Sequence, residues 1–376
     1  MHNQLSERFG IEFPIFAFTH CRDVAAAVSK AGGLGVLGAI GHSPEELDVD
    51  LRWIRDQIGD RPVGVDVIVP AKFEGKGQSL SVADVNALIP AAHREFVNDL
   101  LARYDVPAGK SDRATAAGNA PAPFSPEQAF GLLEVAFAHK PALVANALGP
   151  PPPAMIEMAH DRGIPVAALA GAPNHAERHV AAGVDLIVAQ GTEAGGHTGD
   201  IATMVLVPEI VDAVAPVPVL AAGGIGRGRQ IAAAMALGAQ GVWCGSVWLA
   251  TEEAETHPTV KEKFLKATSA DTLRSRSRTG KPARQLRSAW TDAWEAPAAP
   301  PTLPNPVQML LAEPAMARIA NAAHDPNSGA AQLANYFVGQ IVGSLNQVKP
   351  VDRVVMEMVE EYIDTVQGMA GSLEDA

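Results

Sequence analysis

Asp161-Arg162-Gly163-Ile164-Pro165-Val166 ends a helical segment, turns on a glycine and enters an apolar run. The same phrase returns as Ala181-Ala182-Gly183-Val184-Asp185-Leu186 and as Ala236-Leu237-Gly238-Ala239-Gln240-Gly241. Glycine closes a helix because it alone adopts the left-handed C-cap without penalty. Three copies of one short helix-to-strand turn favour stacked β/α units over an α+β arrangement. Working outward, apolar runs alternate with segments of helical period about eight times. The runs read as strands are Pro14 to Phe18, Leu34 to Ala39, Val63 to Val69, Ala142 to Leu148, Pro165 to Ala170, Leu186 to Gln190, Val217 to Ala222 and Gly241 to Leu249. Each is apolar at nearly every position, as strands covered on both faces must be. Eight such strands suit an α/β fold of the (β/α)8 TIM-barrel type. The rival is a doubly wound open sheet, but no G-x-G-x-x-G follows the first strand.

Helix signals agree. Asp23 to Lys30 stops at Ala31-Gly32-Gly33, and Ser43-Pro44-Glu45-Glu46 opens another helix with an N-cap serine, a proline and two acids. Two stretches break the pattern. Residues 71 to 125 insert a polar opening, a predicted helix from Val82 to Tyr104 and a low-complexity run from Pro107 to Pro123, before a helix from Pro126 to Lys140. Past about residue 268 comes a tail with a basic segment, a Pro/Ala-rich stretch (Ala296 to Pro306) and two or three helices ending near Gln367. The expected organisation is therefore a barrel over 1–290, carrying an inserted helical segment (71–125) after strand 3, and a C-terminal helical extension over 291–376. Both additions are too long for ordinary connections and are expected to form a small lid or cap.

Composition narrows the function. The 376 residues hold 29 Lys+Arg against 42 Asp+Glu, a net charge of −13, which disfavours a general nucleic-acid binder. Cys21 and Cys244 are the two cysteines, too few for a disulfide framework or a Cys-based zinc site. No apolar run has signal-peptide or membrane-span length, so a cytoplasmic protein with no membrane partner is expected.

In a barrel, chemistry sits on loops at the C-terminal ends of the strands, with phosphate after the seventh and eighth. There the chain reads Ala222-Gly223-Gly224-Ile225-Gly226-Arg227-Gly228 and Cys244-Gly245-Ser246. Bare backbone amides one β/α unit apart fit a phosphate clamp, although tight turns alone would also use such glycines. The sixth strand ends in Gln190-Gly191-Thr192-Glu193-Ala194-Gly195-Gly196-His197-Thr198-Gly199, a loop of four glycines around one imidazole. Such a loop suits close contact with a flat ligand. Because imidazole titrates near neutrality, His197 is the candidate proton acceptor; the blander role is a histidine that hydrogen-bonds its own loop. The cluster Arg274-Ser275-Arg276-Ser277-Arg278 reads as solvated surface, with a patch for a phosphate or an acidic carrier protein as the alternative, Cys244 as packing, and Glu193 as either a loop cap or a cation ligand. His175 and His179 have i, i+4 spacing without an acidic or Cys partner, so a structural role is expected there.

These motifs, with Leu249-Ala250-Thr251-Glu252-Glu253-Ala254, resemble the nitronate monooxygenases, a superfamily that shares its Gly-Gly-His block with flavin-dependent enoyl-acyl carrier protein reductases. The resemblance covers roughly residues 10 to 290, apart from the insertion. It implies a barrel holding FMN non-covalently, with Ala17, Phe18, Asp66, Gln190, Gly195 and Gly196 near the flavin and Gly223, Gly224, Trp243, Cys244, Gly245 and Ser246 holding its phosphate. His197 matches the family's catalytic base. The implied reaction oxidises an alkyl nitronate or nitroalkane with O2 to a carbonyl compound and nitrite. The alternatives are an NAD(P)H-dependent enoyl-thioester reductase and a flavin-binding protein without catalysis. Expected partners are a small-molecule substrate, O2 and a second copy of the chain. Two departures stand out: Ala17-Phe18-Thr19 replaces the family's Ala-Pro-Met, and Asp66 stands where asparagine is usual, so Asp66 would be protonated or bound to a different edge of the cofactor.

Overall fold

The computed structural model describes residues 1–69, 82–108 and 126–374. Eight parallel strands close into a barrel: β1 (Ile15–Thr19), β2 (Leu34–Gly38), β3 (Val63–Asp66), β4 (Leu143–Asn146), β5 (Val166–Ala170), β6 (Leu186–Gln190) and, after the two-residue β7 (Gly196–His197) that lies outside the barrel, β8 (Val219–Ala222) and β9 (Gly241–Cys244). Pairing of Ile15 with Val242 and Ala17 with Cys244 shuts the ring. All eight apolar runs contain a strand. The last is shorter than the run: it stops at Cys244, and Ser246–Ala250 wind into a 3-10 turn in which Trp248 Nε1 donates to the Cys244 carbonyl at 2.8 Å. The three repeated turns carry Gly163, Gly183 and Gly238 at φ of +68°, +101° and +97°, the conformation that the sequence phrase requires.

Side chains alternate across each strand, so one parity fills the barrel and the other meets the helices. Phe16, Leu34, Val36, Leu186, Val188, Leu220 and Trp243 form the interior. The N-terminal helix Gln4–Phe9 closes that interior from below, with Leu5 and Phe9 joining it and the Phe9 ring edge-on to Phe16 at 5.3 Å. Burying these apolar side chains contributes ~1.5–3 kcal/mol each. With the bottom plugged, the C-terminal ends of the strands are the face left for a ligand.

The insertion and the tail meet each other. The polar opening of the insertion and most of its low-complexity run lie outside the described residues. The single helix expected from Val82 to Tyr104 is two, Val82–Ala87 and Ala91–Arg103, because Pro90 lacks an amide to continue the first and serves as N-cap of the second. Both pack on the helix Val307–Ala322, and His93 Nε2 donates to the Pro301 carbonyl at 2.8 Å. The tail differs from expectation in three ways. Its basic segment forms an antiparallel hairpin, β10 (Thr272–Ser275) and β11 (Ala283–Leu286), and β11 pairs with β7. Among the described residues four α-helices follow instead of two or three: Ala289–Glu295, Val307–Ala322, Gly329–Leu333 and Val351–Glu374. The last runs beyond Gln367, to Glu374, since no proline follows and each of Gly368 and Gly371 weakens a helix by only ~1 kcal/mol. It lies so close on the helix Gly228–Ala236 that a Cβ at Gly228 would stand 2.2 Å from the Met358 carbonyl oxygen. Among the described residues, no helix is long and apolar enough to cross a membrane.

Candidate functional site

The inward parity of three strands ends on the floor of the open mouth. On β1 it gives Phe16 then Phe18, on β3 Gly64 then Asp66, and on β6 Leu186, Val188 then Gln190. Phe18 is half-buried and lies stacked on Trp243 at 6.3 Å, and Trp243 stacks in turn on Phe16 at the same distance. The Trp243 side chain therefore belongs to the barrel interior. Ala17 and Cys244 have the opposite parity and are buried against the helices, so a ligand meets them through backbone alone. Burial pushes the Cys244 thiol up to about 12, which leaves it inert as a nucleophile and fits the packing role. Asp66 is 3% exposed and its Oδ2 has no hydrogen-bond partner among the described residues. Desolvation alone pushes its carboxyl up to about 7. The protonated form anticipated for Asp66 thus predominates below neutrality.

The loops after β8 and β9 present backbone donors. Gly223 and Gly224 adopt φ of +105° and +70°, closed to other residues without strain. Gln230 reaches back to accept from the amides of Gly226 (2.9 Å) and Arg227 (3.0 Å) and donates to the Gly224 carbonyl at 2.6 Å. The next helix is thereby capped from within, while among the described residues no protein acceptor meets the amides of Gly224, Ile225 and Gly245. A Cβ added at Gly245 would find nothing closer than 3.9 Å, so the space above it is open. Ser246 Oγ accepts from the Gly339 amide at 2.8 Å and keeps its own proton to donate.

The loop from Gly191 to Gly199 is fastened on several sides. Glu193 settles its role as a cap: its carboxylate accepts from the Thr203 amide at 3.0 Å and from Thr203 Oγ1 at 2.8 Å. Gly195 faces the tail, where a Cβ would come 2.8 Å from the Gly339 nitrogen, whereas Gly196, at φ +76°, faces open space. Gly196 and His197 pair with Arg284 and Ala283 of the hairpin. Arg284 Nε donates to the Thr192 carbonyl at 2.8 Å, and Arg274 donates to the Thr198 carbonyl at 3.0 Å while pairing with Asp200. Of the basic cluster, Arg276 is exposed as expected of solvated surface, whereas Arg274 and Arg278 are drawn into internal stitching. Arg278 is 5% exposed, paired with Glu313 at 2.7 Å and laid over the Phe337 ring at 5.0 Å.

His197 Nε2 lies 2.9 Å from Thr279 Oγ1, whose hydroxyl donates to the Lys281 carbonyl at 3.2 Å. In the tautomer that this bond selects, His197 donates from Nε2 to Thr279 Oγ1 and keeps a lone pair on Nδ1; the other tautomer would accept the Thr279 proton on Nε2. The near-neutral titration expected of this imidazole is not what its surroundings give: burial, aided by the Lys281 cation, lowers it to about 4. At neutral pH the ring is uncharged and can accept a proton. Sequence reading missed Thr279, Lys281 and Phe337, which are 82 or more positions from His197 and carry no local motif.

Elsewhere on the rim, His20 Nδ1 donates to the Gly38 carbonyl at 3.1 Å, and Arg22 pairs with Asp50 at 2.9 Å over the Trp53 ring. His179 is buried with Nε2 on the Leu169 carbonyl at 3.0 Å, the structural role expected of it.

A (β/α)8 barrel with a glycine-histidine loop, free amides after its last two strands and a sealed bottom has the architecture to hold an anionic ligand at its open end. The sequence model of the nitronate monooxygenase family matches residues 2–361, and the chain belongs to that family. It is 58% identical, over 375 residues and the whole of both chains, to a Mycobacterium tuberculosis protein whose name assigns it provisionally to the monooxygenases. Among solved structures it resembles the nitroalkane oxidase of Streptomyces ansochromogenes (27% identity, TM-score 0.79, covering 98% of this chain and 100% of that one). It also resembles FabK of Thermotoga maritima (26% identity, TM-score 0.71, 99% of both). The protein is a flavin-dependent oxidoreductase of the nitronate monooxygenase type. The residues fit such a group: the orphaned Asp66 oxygen awaits a polar partner, and the open space over Gly196 and Gly245 is space a Cβ would fill.

Proposed function

We propose that the chain is an FMN-dependent nitronate monooxygenase that converts alkyl nitronates or nitroalkanes, with O2, to a carbonyl compound and nitrite. The observation that carries this reading is His197, an uncharged imidazole set between an open glycine and a cation on a rim with unclaimed amides. The amides of Gly224, Ile225 and Gly245, with the Ser246 hydroxyl, are placed to hold the FMN phosphate. Asp66 and Gln190 offer polar groups to the flavin ring, Phe18 gives it a floor, and the backbone of Ala17, Trp243 and Cys244 completes the wall. Bound FMN supplies a one-electron acceptor for the nitronate and a donor to O2. His197 Nδ1 takes the α-proton of a neutral nitroalkane. Charging a ring that burial holds near 4 is unfavourable by itself, but the nitronate formed beside it is an anion and offsets that cost. The described helices of the insertion and the tail, packed together, are proposed as the cap over this mouth.

The direct test is a visible spectrum of the purified protein, followed by anaerobic addition of propyl nitronate. Flavin absorbance that bleaches with the nitronate is expected; a colourless protein that takes up no FMN would sink the reading. Bleaching by NADH or NADPH instead would turn it toward the enoyl-thioester reductase, and bound FMN reduced by neither would mark a binding protein. A narrower expectation concerns Ser246→Ala. Losing one hydrogen bond to a charged group costs ~1.5–3 kcal/mol, so apoprotein titrated with FMN should bind about tenfold or more weakly. Unchanged affinity would remove Ser246 from the phosphate site.

A further inference from the structure

The ring of Phe337 is half-buried, 6.4 Å from the His197 ring and tilted 37° to it. On it lies the Arg278 guanidinium, 5.0 Å from the ring centroid and itself held by Glu313 at 2.7 Å and Asn335 at 3.3 Å. The backbone around Phe337 is bound to the rim at three points. The Leu286 amide donates to the Tyr336 carbonyl at 3.0 Å, the Gly339 amide to Ser246 Oγ at 2.8 Å, and the Gln340 amide to the Glu193 carbonyl at 2.9 Å. Bare Gly195 lets this strand of tail come that close. Next to Phe337, the Tyr336 ring stands 6.0 Å away and 36% exposed. His197 therefore has two unlike neighbours, the Lys281 cation and a fixed aromatic wall. That combination suits a ligand with an anionic head and an apolar chain.

We infer that Phe337 is a specificity-determining residue of this site, its ring receiving the alkyl chain of an aliphatic nitronate whose head lies toward His197 and Lys281. The inference rests on the function proposed above. Arg278 is then a positioning residue: it touches no substrate, and the cation over the ring sets the angle at which Phe337 faces His197. A preference for longer chains follows, because each methylene laid on the ring leaves water.

Straight-chain carboxylates from acetate to hexanoate share the planar two-oxygen anionic head of a nitronate and are not turned over, so their binding to the flavin-loaded protein by calorimetry tests the role of Phe337 without reference to activity. Affinity is expected to rise about fourfold per added methylene, which is ~0.8 kcal/mol. In Phe337→Ala that gain should fall below about twofold per methylene with acetate binding unchanged. Arg278→Met should flatten the series in the same direction, and Arg278→Lys, which keeps a cation for the ring, should restore it. Phe337→Leu, gentler on folding, should give an intermediate slope. Matching kcat/KM values on the alkyl nitronates should follow the same order. A wild-type series flat with chain length, or a full slope in both Phe337 variants, overturns the inference. A wild type that binds the carboxylates with the expected slope, lost in the Phe337 variants, but oxidises no nitronate would instead overturn the proposed reaction and leave the chain-binding role of Phe337 standing.

Discussion

His197→Asn is expected to lower kcat/KM on neutral nitroalkanes by about two orders of magnitude or more, the usual worth of a positioned general base. On preformed nitronates the loss should stay within about tenfold, because no carbon acid then has to be deprotonated. Asparagine keeps an amide that can reach Thr279 Oγ1, 2.9 Å from the imidazole, so the loop and bound flavin should be retained. The pH profile carries a second sign. With the free imidazole lowered to about 4, wild-type kcat/KM on nitroalkanes should rise as pH climbs through about 4 and be level, as far as this group is concerned, from pH 5 to 8. Nitrite release and oxygen uptake across that range measure both effects. Unchanged kinetics in the variant would take the histidine out of the mechanism, and an acid limb centred near 6.5 would show that burial does not govern it.

The depressed imidazole also marks where sequence stops being readable. The barrel could be read because parallel strands covered on both faces must be apolar throughout and because each helix must be stopped before the next strand; Gly163, Gly183 and Gly238 do that. Parity then carries Phe18, Asp66 and Gln190 to the mouth with no further information. The hairpin Thr272–Leu286 offered no such signal. Its first strand, Thr-Leu-Arg-Ser, has no clean alternation, and it is held by arginines bound to loop carbonyls and acids. Arg274 and Arg278, written close together with the exposed Arg276, look like surface until their partners, Asp200 and Glu313, arrive from elsewhere in the chain. Phe337 is separated from His197 by 140 positions and reaches it only because Gly195 leaves room for Gly339. Contacts of that kind depend on tertiary closure, which local pattern does not encode.

Asp66→Asn is expected to stabilise the flavin-free protein, and to do so only on the alkaline side. The folded carboxyl is raised to about 7 by burial, while in the unfolded chain it ionises near 3.8. Below about pH 4 both states hold the proton and Asp66 contributes no pH-dependent difference. Between about 4 and 7 the unfolded state gives the proton up and the folded state keeps it, so stability falls as pH rises; above 7 the penalty is constant. The gap of about three pH units corresponds to as much as ~4 kcal/mol. An amide of nearly the same shape escapes that penalty and has its own buried polar atoms to satisfy, which trims the gain. Chemical denaturation of apoprotein at pH 4 and pH 8 should therefore show variant and wild type nearly alike at the first and the variant ahead by a few kcal/mol at the second. Equal stabilities at both would mean that Asp66 Oδ2 finds a partner. The sign should weaken when flavin is bound, since a donor on the ring that meets the orphaned oxygen stabilises the carboxylate and draws its pKa back down. A carboxylate that is costly without the cofactor and satisfied with it makes flavin affinity in the wild type rise with pH through about 7, and Asp66→Asn should abolish that rise.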